Sequence, residues 1–200
     1  AGFDYVVVDL EHSATNPETA LHMVRAAKVA GVAALVRVRD NEDKLILQAL
    51  EMGADGIVVP FVQSADDVRK AARSMRYPPE GVRGMCPVTR SARFGTLRSQ
   101  FAQHAKRLND ETVFVALIEN MKGADAIGEI LDCDPGIDAL LVGRSDLSAD
   151  IGCIGQGAHP DVLAATKRII DAAGAHPRGV RAGVVLGPTE ESAPWLAAGC

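Results

Sequence analysis

"GFDYVVV" (Gly2–Val8) has a form that returns twice, as "GADGIVV" (Gly53–Val59) and "GIDALLV" (Gly136–Val142). Each copy is a glycine, any residue, an aspartate, any residue and an apolar run. A glycine before a strand is expected to close the preceding helix, where the left-handed conformation costs least without a Cβ. The residues after it turn the chain into a strand. Outward from these copies the pattern continues. Strands are expected at Tyr5–Leu10, Ala34–Val38, Gly56–Pro60, Thr112–Ile118, Asp138–Gly143 and Ala182–Leu186. Amphipathic stretches of helix length separate them: Pro17–Ala30, Glu42–Met52, Ala65–Met75, Leu97–Leu108, Lys122–Leu131, Pro160–Ala173 and Glu190–Ala198. The strands are continuously apolar rather than alternating, which predicts burial on both faces and a parallel sheet. Repeated strand–helix units give an α/β fold. Six such units are compatible with an open doubly wound sheet and with most of an eight-stranded barrel.

The totals bound the function. The chain has 200 residues, 48% of them hydrophobic, and a formal net charge of -5. It can bury one sizeable core and shows no basic footprint for nucleic acid. No window approaches the roughly 20 apolar residues of a membrane span. The four cysteines (Cys86, Cys133, Cys153, Cys200) form no Cys-x-x-Cys pair, so a zinc ribbon is not expected, and their low density suits reduced thiols in a cytoplasm. The first strand is followed by no Gly-x-Gly-x-x-Gly fingerprint, and no phosphate loop is present. The glycines of Ile151–Gly157 follow the wrong element.

In a barrel the C-terminal strand ends form the active face. Asp9, Glu11 and His12 come at the end of the first strand, Arg37 and Arg39 stand near the end of the second, and Gln63 lies beyond the third; Glu119 follows the fourth, and Arg144, Ser145 and Asp146 the fifth. Two carboxylates, Glu119 and Asp146, suit a divalent ion such as Mg²⁺ or Mn²⁺ completed by water and substrate oxygens. An arginine supplies fixed positive charge for a developing enolate. His12 is the proton carrier suited to neutral pH. Together they fit enolate chemistry on a small keto acid. Arg37 and Arg39, two residues apart on one strand, are both candidates for the inward face. Arg90, Arg93 and Phe94 are expected in a loop over the barrel mouth. His22, His104, His159 and His176 are expected at the surface, and Trp195 to pack a helix against its neighbours.

The segments "DLEHS", "VRV", "LEMGADGIVVPFVQSADDVRKAARSMRYPPEGVRG", "IEN" and "GRSDLSADIG" resemble the HpcH/HpaI family of metal-dependent class II pyruvate aldolases over essentially the whole chain. The resemblance implies a TIM (β/α)8 barrel, incomplete here at about six βα units. It implies a single domain over residues 1–200, truncated at both ends. It also implies a carbon–carbon lyase that forms a pyruvate enolate for aldol addition to, or release from, an aldehyde. Glu119 and Asp146 would hold the metal (Mg²⁺ or Mn²⁺, with Co²⁺ a further candidate). Arg37 would stabilise the enolate, the backbone N–H groups of Ser145 and Asp146 would bind the carboxylate, and His12 would relay the proton. Glu51 stands where the family usually has an aspartate paired with the histidine, which makes it a third catalytic candidate. Leu117 replaces a common glutamine, and Arg144 a small residue or proline. "DLEHSATNPE" and Leu117 resemble as well a branch that makes citrate for siderophores from oxaloacetate and acetyl-CoA, which is the alternative reaction. A non-catalytic barrel scaffold is the alternative of another class. The expected setting is a cytoplasmic homo-oligomer, hexamer or trimer, with small keto-acid and aldehyde substrates and neither nucleic acid nor membrane as partner.

Overall fold

The computed structural model describes residues 2–187 and 190–200. Among them the chain forms six strands: β1 Tyr5–Asp9, β2 Ala33–Arg37, β3 Gly56–Val59, β4 Val113–Ile118, β5 Ala139–Val142 and β6 Arg181–Val184. The helices are α1 Pro17–Val29, α2 Asp43–Glu51, α3 Ala65–Met75, α4 Phe101–Glu111, α5 Met121–Asp125, α6 Ile127–Asp132, α7 Arg144–Ile151, α8 Pro160–Ala175 and α9 Ala193–Ala197. Two compact units divide the chain, residues 1–59 with 70–114, and residues 60–69 with 115–200.

In the first unit β1 pairs with β2 and β2 with β3, all parallel. Two local devices set the strand starts. Gly53, at φ +87°, turns the chain out of α2. Asp55 accepts the Ala34 N–H at 2.8 Å and the Lys28 ammonium, tying β3 to the start of β2 and the end of α1. Val24, Val36, Ile46 and Ile57 are fully buried and belong to the core of this unit. In the second unit β4 pairs with β5 and β5 with β6, again parallel. Ile118, Ile130, Leu140 and Ile169 are fully buried there. In both units spatial order is chain order. This is the βα repeat of a TIM-type barrel, with six strands among the described residues.

Several expectations need correction. Gly136 has no positive φ; its place is sterically reserved, because a Cβ there would lie 1.9 Å from the Arg178 guanidinium, which caps the carbonyls of Leu131, Cys133 and Ile137. Both-face burial holds for β3 and nearly so for β4, but Tyr5, Val6 and Val7 of β1 are exposed and β6 is half-open. Each of these two strands pairs with a single neighbour among the described residues. The helix expected over Lys122–Leu131 breaks at Ala126 into α5 and α6, and α7 was not anticipated. α7 ends on Gly152 in the left-handed conformation. His104 is buried, not superficial: its Nε2 meets the Ser91 carbonyl at 2.8 Å.

Candidate active site

Asp9 and Arg37 close adjacent parallel strands and are register partners. Their side chains therefore meet. Arg37 donates from Nε to Asp9 Oδ1 at 2.8 Å and from Nη2 to Oδ2 at 2.5 Å, a two-pronged guanidinium–carboxylate pair. Its Nη1 lies 3.2 Å from Glu11 Oε2. Asp9 Oδ1 also accepts the amides of Glu11 (2.9 Å) and His12 (3.3 Å), and the Ser13 hydroxyl donates to the Asp9 carbonyl. The segment after β1 thus curls around one carboxylate, which is why an apolar run ends in an acid. Burial pushes the Asp9 carboxyl up; the Arg37 and amide hydrogen bonds outweigh it and leave its pKa below the ordinary value. His12 stands above this knot with its side chain 56% exposed and Nε2 3.9 Å from Glu11 Oε1. The two arginines of β2 separate cleanly. Arg39 donates to the carbonyls of Leu10 and Thr15, bracing the loop rather than the carboxylates.

Glu51 does not join this group. It ends α2, and a helix between parallel strands runs back toward their N-terminal ends. Its carboxylate meets Arg83 at 3.4 Å, and among the described residues the ion-pair contact of His12 is to Glu11 instead.

In the second unit Glu119 follows β4 with only 1% of its surface exposed. Its Oε1 accepts the Phe61 N–H at 2.8 Å. Phe61 holds φ +49° to present that donor, a conformation that costs free energy outside glycine. On the other side the carboxylate lies against Gly143, where a Cβ would come within 2.8 Å of Glu119 Oε2. Gly143 caps α7, and Asp146 sits in the first turn of that helix, half-buried, with no ion pair among the described residues. Ser145 is exposed beside it. The first-turn N–H groups of a helix lack intrahelical acceptors and favour an anion. No group of three or more His, Cys, Asp or Glu converges among the described residues. Two carboxylates without nitrogen or sulfur donors fit a hard divalent cation that keeps water or substrate oxygens in its remaining positions.

Arg144, next to Gly143, turns away from this chemistry. It is buried, pairs with Glu190, reaches the carbonyls of Gly157 and Val185, and lies 4.8 Å over the Trp195 ring. Phe61, Gly143 and the role of Asp9 as the anchor of Arg37 were not singled out from sequence. A lone acid closing a valine run was the available signal for Asp9; none existed for a backbone N–H such as that of Phe61.

The HpcH/HpaI aldolase/citrate lyase family model matches residues 1–197. The chain belongs to the HpcH/HpaI family. It is 38% identical over 186 residues to the 5-keto-4-deoxy-D-glucarate aldolase of Escherichia coli O139:H28, covering 92% of this chain and 71% of that protein. Among solved structures, an HpcH/HpaI aldolase/citrate lyase family protein from Burkholderia cenocepacia J2315 superposes with a TM-score of 0.91 at 32% identity, over 99% of this chain and 77% of that one. The citrate synthase SbnG superposes at 0.84 with 31% identity, over 99% and 74%. As a member of the HpcH/HpaI family the chain is an enzyme of the lyase class. No helix among the described residues is long and apolar enough to cross a membrane.

Proposed function

We propose that the protein is a metal-dependent class II aldolase that handles pyruvate as its enolate. Glu119 and Asp146 would hold a divalent cation, Mg²⁺ or Mn²⁺. That cation would supply Lewis-acid polarisation of the keto acid. The observation that carries the reading is Glu119: a buried carboxylate fixed by the Phe61 amide and fitted against a glycine that leaves no room for a side chain.

The chain's own residues supply the rest. Arg37, oriented by Asp9 and Glu11, offers positive charge to the oxygen that becomes negative in the enolate. The N–H groups of Ser145 and Asp146 at the start of α7 bind the substrate carboxylate. His12, exposed and beside Glu11, takes or returns the proton at the pyruvate methyl carbon. Glu51, at the end of α2 with Oε1 3.4 Å from Arg83, is placed outside this set. The name of the 38%-identical relative makes 5-keto-4-deoxy-D-glucarate the first cleavage substrate to try.

The likeness to a citrate synthase supports a second reading, a citrate-forming condensation of oxaloacetate with acetyl-CoA. Deuterium exchange into the pyruvate methyl group, followed by NMR with and without a chelator, separates the two. The aldolase reading expects metal-dependent exchange. Absence of exchange together with CoA release from oxaloacetate and acetyl-CoA would establish the second.

A further inference from the structure

The first unit holds a cavity of about 610 Å³ at the end of its strands opposite His12 and Arg37. Gly53, Ala54 and Asp55, which precede β3, and Glu111 and Thr112, which precede β4, form its floor. Arg90 and Arg93 belong to it, so the loop expected over the barrel mouth lies at the foot instead.

The lining is strongly cationic. Lys28, Arg83, Arg90, Arg93 and Arg107 face it against two carboxylates, Asp55 and Glu111. Those two are engaged, Asp55 by Lys28 and Glu111 by Arg107 at 3.1 Å. Arg90 and Arg93 have no carboxylate in ion-pair range among the described residues. Arg90 lies across the bare backbone of Gly53, its Nε 3.5 Å from where a Cβ would stand. Arg93 and Phe94 hold φ +50° and +52°, a strained pair that sets the loop. Arg83 is the second, independent observation. Its side chain is 1% exposed, its guanidinium lies 4.4 Å over the Tyr77 ring, its one carboxylate contact is the long one to Glu51, and its buried Nε has no hydrogen-bond partner. A buried guanidinium left incompletely bonded is costly unless a further acceptor completes it.

We propose that this cavity binds a small multivalent oxyanion. Guanidinium forks match the paired oxygens of carboxylates and phosphates alike, and several around one cavity select multiple charge. The volume falls in the range of about 300–1,000 Å³ used for small ligands. None of His12, Arg37, Asp9 and Glu11 lines the site, and the proposal does not depend on the aldolase reading.

Calorimetric titration of the metal-free protein at about 0.15 M salt, where loose surface association is screened, tests this with two probes, pyrophosphate for the phosphoryl class and citrate for the carboxylate class. Saturable binding of one anion per chain is expected for at least one probe, and the probe that binds names the class. In the doubly substituted Arg90→Ala/Arg93→Ala protein the affinity falls at least tenfold, with thermal unfolding unchanged because neither side chain is buried. Arg37→Gln leaves the binding as it was. No saturable binding of either probe, equal binding by the double variant, or loss of binding in Arg37→Gln would each overturn the proposal.

Discussion

The two strand-end clusters solve opposite electrostatic problems. In the first unit Arg37 is held by two carboxylates, Asp9 and Glu11, so the charges compensate one another within the fold. In the second unit the conspicuous groups are acidic: Glu119 is almost fully buried, and Asp146 has no ion pair among the described residues. Burying a carboxylate is expensive without a compensating charge or hydrogen bonds. The first cluster is built to orient a cation that the chain supplies. In the proposed function the second receives one from outside.

The substitution that breaks this contrast hardest is Glu119→Gln. The amide keeps an oxygen for the Phe61 N–H, so folding survives while the charge goes. Steady-state lyase assays should show a loss on the order of 1,000-fold in kcat/KM, about 4 kcal/mol of transition-state stabilisation. Gly143→Ala attacks the same carboxylate by volume. The added Cβ must displace Glu119, and overpacking of this kind costs about 1–3 kcal/mol; denaturant unfolding should register it, with weakened metal affinity alongside.

Asp9→Asn probes the compensated cluster. Asp9 has a folded pKa below its unfolded value of about 3.9. Its contribution to stability is therefore present above that value and lost as pH falls through the folded pKa. The variant should lose about 1–2 kcal/mol at neutral pH, since both partners are partly exposed, and its stability should fall less steeply on acidification. The smallest effect belongs to Arg39→Ala, about 0.5 kcal/mol or less by thermal unfolding, because that arginine only braces an exposed loop.

Sequence patterning reached the elements well, because parallel strands are written as short continuous apolar runs, including β1, whose first three residues are exposed here, and amphipathic helices write their own period. Ala65–Met75 was placed to the residue. α7 escaped because "RSDLSADI" is short and carries no clear apolar stripe. Glu119, Asp146, Arg37 and His12 were legible as polar residues at or just past the ends of apolar strands. Glu51 closes α2 beside Arg83, and the apolar period that reveals a helix does not say which end of a neighbouring strand its last residue reaches. The arginine loop lies at the end of the strands opposite the one expected, because a loop without an apolar period carries no signal for the end it covers. Phe61 and Gly143 act through backbone geometry, and composition records neither a φ angle nor the absence of a Cβ.

The central claim is that the acidic cluster of the second unit receives a divalent cation. Mn²⁺ titration followed by the electron paramagnetic resonance of the free ion tests it without any choice of substrate. One tightly held Mn²⁺ per chain is expected, retained in Asp9→Asn and lost in a folded Glu119→Gln. A folded wild-type protein that holds no Mn²⁺, or a Glu119→Gln variant that holds it as tightly, would contradict the account.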